Sequence, residues 1–125
     1  MFVYSKLVLG DFMKKWSFGI NNDYLVELVL FGKKKATTSL YDSADFSCVG
    51  EESFLIFSDG EIACITKTSR VVVTEFKNIT WDLAKLEGEN NSLDEWKEEH
   101  IKFFKFIDSD FNENTKAVFE VFEVV

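Results

Sequence analysis

Hydrophobic residues recur at helical spacing after the first twenty residues of the chain, and this pattern predicts a helix. The stripe consists of Leu25, Leu28 and Val29, widened by Val26, Leu30 and Phe31. Asn21 or Asn22 is a good N-cap, because its side chain can accept a hydrogen bond from the first turn. Gly32 suits the end of this helix, because glycine readily adopts the left-handed conformation found there.

A second helix is predicted near the C-terminus, where Ser92 and Glu95 form a Ser-x-x-Glu capping box. This pattern predicts that the helix starts at Ser92. Its expected apolar face consists of Leu93, Trp96, Ile101, Phe103, Phe104 and Ile107. A shorter helix is expected from Thr80 or Asp82 to Leu86, and Gly88 interrupts it.

Alternating or β-branched segments predict strands at residues 36–41, 53–57, 62–73 and 116–125. Asp59 and Gly60 favour a hairpin turn between the second and third of these strands. Residues 1–9 fit either an edge strand or a short helix, which Gly10-Asp11 would end. Strands separated by two or three helices predict an α+β fold, in which a small curved sheet or barrel carries helices at its mouth.

Length, net charge and cysteine content limit the number of domains and the kinds of ligand that we expect. A chain of 125 residues, 46% hydrophobic with 14 Phe, suggests one domain over residues 1–125. The net charge of -8 opposes broad coating of nucleic acid but permits a small nucleoside or a short strand at a local basic spot. Cys48 and Cys64 give no disulfide framework. Without an apolar run long enough to span a bilayer or a signal peptide, we expect a cytoplasmic protein with no membrane contact.

The stretch Gly32-Lys33-Lys34-Lys35-Ala36-Thr37-Thr38-Ser39-Leu40 carries the densest candidate chemistry. A tight turn that gathers cations and hydroxyl groups is a plausible place for an anion or a nucleophile. The alternative is a solvated turn that leads into a Thr-rich strand, with lysines that suit the dipole of the preceding helix.

Several short motifs, taken in order, resemble the ASCH domain family over about residues 16–125. They are Trp16-Ser17-Phe18-Gly19, the stretch from Gly32 to Leu40, Asp59-Gly60, Cys64-Ile65, Phe76 with Ile79, Glu87-Gly88-Glu89, Ser92-Leu93-Asp94-Glu95-Trp96, His100, Phe103-Phe104 and Glu120-Val121-Phe122. The resemblance implies a PUA-like curved β-barrel with flanking helices and a ligand that is RNA or a nucleotide. One bacterial branch of the family cleaves N4-acetylcytidine to cytidine and acetate, and other members resemble ribonucleases.

The Lys-x-x-Thr motif of that amidohydrolase branch falls on Lys34 and Thr37, and its carboxylate falls on Glu89. The branch carries an Arg where this chain has Ser39, so a ligand contact is lost. In the larger group with the Glu-Gly-Glu motif an Asp often follows, where this chain has Asn90-Asn91. Both departures leave the substrate open.

Amide hydrolysis needs a nucleophile, a proton acceptor and a proton donor. The resemblance implies that Lys34, Thr37 and Glu89 converge in one pocket, where Thr37 attacks, Lys34 acts as its base and Glu89 holds Lys34 or protonates the leaving nitrogen. The alternative is that Lys34 and Glu89 form an ordinary ion pair while Thr37 packs in the sheet.

The candidate ligand-binding residues are Lys33, Ser39, Glu87, Trp96 and His100. Trp96 and His100 are four residues apart on one helix face, so they can stack and donate to a base or simply pack together. Two carboxylates around Gly88 are too few to predict a metal site, and we expect no cofactor.

The sequence therefore predicts a domain that binds RNA or a modified nucleoside. The alternatives are a hydrolase, either an amidohydrolase on N4-acylated cytidine or a ribonuclease, and an interaction protein with an empty pocket. The Phe-rich C-terminal strand is core or the edge of a possible homodimer.

Overall fold

The computed structural model describes the backbone of residues 2–5 and the whole of residues 13–125. The described strands are β1 (Phe2–Ser5), β2 (Lys14–Phe18), β3 (Ala36–Leu40), β4 (Glu52–Ile56), β5 (Ile62–Glu75) and β6 (Lys116–Val124). The described helices are α1 (Asn22–Leu30), α2 (Trp81–Ala84) and α3 (Leu93–Ile107), with single 3-10 turns at Tyr41–Ser43, Phe76–Asn78 and Lys85–Glu87. Of the two structures expected for residues 1–9, residues 2–5 form an edge strand. Residues 6–12, with the predicted break at Gly10-Asp11, lie outside the described residues.

All six strands belong to one mixed sheet in the order β1-β2-β4-β5-β6-β3. β2 and β4 are parallel, and the other neighbouring pairs are antiparallel. The two edge strands β1 and β3 approach within 8 Å between Cα atoms, so the sheet curls into a barrel-like shape. The predicted α+β fold with a curved sheet is confirmed. β6 pairs on both sides and is therefore a central strand, so it offers no edge to a partner; a homodimer stays a prediction.

Two hydrophobic cores lie on opposite faces of the sheet. The core under α1 contains Trp16, Phe18, Leu25, Val26, Leu28, Val29, Leu55 and Phe122. The core under α2 and α3 contains Ala36, Leu40, Phe76, Ile79, Leu83, Ala84, Trp96, Phe104, Phe111, Ala117 and Phe119. Because side chains alternate along a strand, β3 directs Ala36, Thr38 and Leu40 toward α3 and directs Thr37 and Ser39 into the barrel. This alternation decides which predicted site residues can meet.

The ends of α1 confirm one prediction and correct another. Gly32 is left-handed (φ 78°) and its N–H donates to the carbonyl of Val29, as expected for a glycine that ends a helix. Asn21 occupies the N-cap position but is itself left-handed (φ 49°), and its side chain makes no capping hydrogen bond. Asn22 instead accepts the Phe18 N–H at 2.7 Å and donates to the Ile56 carbonyl at 3.0 Å, so its amide ties α1 to the sheet.

Local signals elsewhere also correspond to the structure. The Ser92 Oγ accepts the Glu95 N–H at 3.1 Å, which confirms the N-cap of α3. Gly60 has φ 91° in the hairpin between β4 and β5. On α3, Trp96 and Phe104 are buried as predicted, but Ile107 is 46% exposed because the helix ends there. The part of the chain that the structure describes has no helix long and apolar enough to cross a membrane.

Candidate functional site

The site is built where two loops meet. One loop joins α1 to β3, and the other is the 3-10 turn Lys85–Glu87 with Gly88 behind it. The Lys35 N–H donates to the carbonyl of Leu86 at 2.8 Å, and the Lys34 N–H donates to that of Leu28 at 3.1 Å. These backbone bonds hold Lys34 directly beside Glu87.

A glycine is required at position 88 because the two loops approach each other closely there. Its backbone is left-handed (φ 74°), and a Cβ at this position would lie 2.1 Å from the carbonyl oxygen of Lys33. Only glycine combines this φ with so little space. The glycine of the Glu-Gly-Glu motif is therefore explained by the packing of one loop backbone against the other.

Lys34 lies between two carboxylates. Its side chain is 1% exposed, and its ammonium is 3.1 Å from Glu87 Oε1 and 2.6 Å from Glu89 Oε2. The Glu87 main-chain carbonyl accepts a longer third bond at 3.5 Å. The Glu89 side chain is 28% exposed, so it is the member of this trio that meets solvent.

The second carboxylate oxygen of Glu87 faces three further side chains. Oε2 accepts from Thr38 Oγ1 at 2.6 Å and from Trp96 Nε1 at 2.9 Å, and His100 Nε2 lies 3.5 Å away. His100 Nδ1 donates to the Trp96 carbonyl at 2.7 Å. Both ring nitrogens of His100 thus face acceptor oxygens.

Glu87 is ionised in the folded protein. Burial on its own would raise the pKa of Glu87, but the Lys34 ammonium and then His100 hold that pKa well below its usual range. A buried carboxylate with an ammonium at 3.1 Å is a charge-assisted pair in a setting of low dielectric. Glu87 is therefore the centre of a rigid polar network, which we call the Glu87 network: Lys34, Thr38, Glu87, Glu89, Trp96 and His100.

Five of the eight predicted site residues meet in this network. They are Lys34, Glu87, Glu89, Trp96 and His100. Trp96 is completely buried and stacks on Phe76 and His100, with ring centroids 5.5 Å and 4.0 Å away. Its position orients Glu87 and leaves no ring face open to a base.

The other three predicted residues lie elsewhere. Lys33 is exposed on the loop, while Thr37 and Ser39 are buried on the inner face of β3. Thr37 lines an interior cavity together with Glu120. The structure thus separates Thr37 from Lys34 and Glu89 by the alternation of β3. Sequence reasoning did not include Thr38, although its position four residues after Lys34 places both on one face of an extended segment.

A surface groove of about 450 Å³ borders the Glu87 network. Its lining residues are Leu30, Gly32, Lys34, Lys35, Ser69, Leu86, Val121, Phe122, Glu123 and Val124. Ser69 lies where the pairing of β5 with β6 shifts register, and its hydroxyl donates to the Val121 carbonyl at 3.2 Å. The groove combines apolar walls with lysines at one end.

The Glu87 network has no place for a metal ion. The described residues contain no group of three or more His, Cys, Asp or Glu side chains that could hold one. The position between Glu87 and Glu89 is filled by the Lys34 ammonium. Cys48 and Cys64 are free thiols, and burial raises the pKa of Cys64.

Comparison with solved structures shows the same fold in bacterial proteins. An ASCH domain from Lactobacillus crispatus JV V101 has a TM-score of 0.73 and 28% identity, covering 82% of this chain and 70% of its own. A protein from Enterococcus faecalis V583, of the family DUF984, has a TM-score of 0.71 with the same identity and coverage. A third structure, of a hypothetical protein, has a TM-score of 0.58 at 22% identity over 82% of this chain and 93% of its own, which shows the fold alone. No curated protein matches the chain.

The family model described as the ASCH domain matches residues 14–125, which include every residue of the Glu87 network. The resemblance found in the sequence motifs is thereby confirmed, together with the PUA-like fold that it implies. This chain belongs to the ASCH domain family.

Proposed function

We propose that this ASCH domain binds a modified nucleoside or a short RNA segment in the groove beside Lys34. The observation that carries the proposal is the groove itself. Its volume of about 450 Å³ falls in the range of small-molecule sites, roughly 300–1,000 Å³. It also runs along the 32–35 loop, where the chain places three consecutive lysines.

The walls of the groove suit the two ends of a nucleotide. Leu30, Leu86 and Phe122 offer apolar surface to a base or sugar. Lys35 lies in the lining and is exposed, so it can pair with a phosphate. The net charge of -8 makes such local pairing more favourable than extended contact with a long RNA.

The Glu87 network gives the groove a fixed polar end. Lys34 and Glu87 are both 1% exposed and hold each other, so neither needs to reorganise when a ligand arrives. Glu89 is bonded to Lys34 and partly exposed, so it is the carboxylate of the network that meets solvent beside the groove, while Lys34 is the network residue that lines the groove itself. Preorganised polar groups of this kind give orientation rather than bulk affinity.

Amide hydrolysis of an N4-acylated cytidine is the second candidate, favoured by the 2.6 Å contact between Lys34 Nζ and Glu89 Oε2. With two carboxylates around it, Lys34 is an ammonium that can stabilise a developing oxyanion. Glu89 would then accept a proton from the attacking water and pass it to the N4 nitrogen as the C–N bond breaks, which releases acetate and cytidine. In this scheme Thr37 is not the nucleophile, because it faces the barrel interior.

Binding is tested by calorimetry with cytidine, N4-acetylcytidine and a short RNA oligomer. We expect Lys35→Ala to weaken binding about fivefold, the effect of roughly 1 kcal/mol. Lys105→Ala, which removes an exposed charge from α3, is the matched control and should bind like the wild type. Equal affinity of the two variants, or no binding of any of the three ligands, would refute the groove as the site.

Turnover is measured with the same protein. Release of cytidine from N4-acetylcytidine, lost in Glu89→Gln and kept in Lys105→Ala, would establish the hydrolase. Binding without release would leave the domain as a binding module.

A further inference from the structure

The barrel encloses a second polar site, on the opposite face of β3 from the Glu87 network. The cavity is lined by Trp16, Thr37, Ser47, Ser53, Thr66, Thr68, Glu120 and Phe122. Its volume is about 20 Å³, slightly more than the roughly 10–15 Å³ that one water-sized group needs. The cavity contains Thr37 and shares Phe122 with the groove, but no residue of the Glu87 network lines it.

Glu120 is the unexplained group in this cavity. It is 4% exposed, and its Oε1 accepts the Ser47 N–H at 2.8 Å. Its other oxygen, Oε2, and the hydroxyl of Ser53 are buried with no hydrogen-bond partner. Buried polar atoms are nearly always satisfied in native proteins, so two such atoms around one cavity mark it as a place where a small polar group can bind.

The charges around the cavity indicate which kind of chemical group it can bind. No lining side chain in the described part of the chain is cationic, and the lining offers hydroxyl and carboxylate oxygens. Burial raises the pKa of Glu120 to about 7; the Ser47 N–H and the positive charge of the amino terminus act to lower that pKa, and the charges of Glu51 and Asp45 raise it further. Lys14 lies 3.7 Å from each of these two acidic groups.

We propose that the cavity is a binding site for an ammonium group, which donates to Glu120 Oε2 and to the hydroxyl of Ser53. An ammonium group has the size of a water molecule, carries the complementary charge and supplies several donors. The site goes beyond the groove ligand and does not depend on it. The group is a free ammonium ion or the end of a primary amine.

The amide of Ser47 supplies a direct probe, because it donates to Glu120. We would follow its shift by NMR while adding ammonium chloride, with potassium chloride as a cation that cannot donate. Tetramethylammonium chloride, which is too large for the cavity, controls for ionic strength. Since ammonium binds the ionised carboxylate, the apparent affinity should rise about tenfold from pH 6 to pH 8.

Glu120→Gln should abolish the response, because the glutamine amide itself places an –NH2 group in the cavity. Glu98→Gln removes an exposed charge from α3, away from both the groove and the cavity, and should respond like the wild type. Ser53→Ala gives an independent variant, expected to weaken the response by removing one acceptor. The proposal is overturned if potassium produces the same shift, if Glu120→Gln still responds, or if ammonium produces no saturable shift in the wild type.

Discussion

Glu87→Gln tests whether charge holds the Glu87 network together. The substitution keeps the shape of the side chain but leaves one acceptor oxygen in place of two. In the native protein one oxygen faces Lys34 at 3.1 Å, and the other faces the Thr38 hydroxyl and the Trp96 indole at 2.6 and 2.9 Å. Whichever way the amide is oriented, its –NH2 group points at a donor.

The size of the loss follows from these contacts. Leaving buried donors unsatisfied costs roughly 1–3 kcal/mol, and removing one partner of a buried ion pair costs about 3–5 kcal/mol. Lys34 retains Glu89 at 2.6 Å, which offsets part of the second cost. We therefore expect the free energy of unfolding to fall by about 3 kcal/mol.

Urea unfolding monitored by tryptophan fluorescence measures this loss. Glu98→Gln is the matched control, since Glu98 is exposed and its contact with Lys102 spans 3.8 Å. That surface pair contributes little, so the control should lose less than about 1 kcal/mol. A loss in Glu87→Gln no larger than in the control would refute the reasoning that the network is electrostatic.

Acid titration adds a second readout for the same variant. The pKa of Glu87 is depressed in the folded protein, so its contribution to stability is present above the unfolded value, about 4.5, and is lost as pH falls through the folded pKa. The wild type should therefore lose stability more steeply than Glu87→Gln below about pH 4.5.

Two further predictions concern stability. Gly88→Ala should lower the free energy of unfolding by about 2–4 kcal/mol, because the left-handed φ and a contact with the Lys33 carbonyl act together. Gly50→Ala is the control for the φ cost alone, because Gly50 has φ 90° and no atom within 4 Å of an added Cβ. Equal losses of stability for the two variants in urea unfolding would contradict the steric argument. Glu120 has a raised pKa of about 7, so the wild type loses stability as pH rises from the unfolded value to the folded one. Glu120→Gln should therefore be more stable than the wild type at pH 8, by up to about 3 kcal/mol, with little difference near pH 4.5; parallel pH profiles of the two proteins in urea unfolding would contradict this.

The sequence predicted the elements that depend on local chemistry. Gly32, the Asp59-Gly60 pair and the Ser92 cap act within a few residues of themselves, and the structure contains all three features. The strand Lys14–Phe18 was not predicted, and its parallel neighbour β4 lies far along the chain. Its hydrogen bonds are a consequence of tertiary packing that no local pattern records.

Which residues belong to the site depends on the face of the strand on which each side chain lies. The motif comparison named Thr37, but the hydroxyl that contacts Glu87 belongs to Thr38. A shift of one residue moves a side chain to the other face of a sheet, and a spacing rule taken from a motif does not fix that face. The sequence did not indicate Glu120 as a site residue either, because it lies in a Phe-rich strand whose pattern indicates core.

The hydroxyl residues of β3 connect the two sites physically. Thr38 is held by Glu87 on one face, and Thr37 forms a wall of the cavity that contains Glu120 on the other. Glu87 bonds both Lys34 and Thr38, so it fixes the beginning of β3 as a unit. The alternation of β3 thus places the Glu87 network and the cavity that contains Glu120 on opposite faces of one strand.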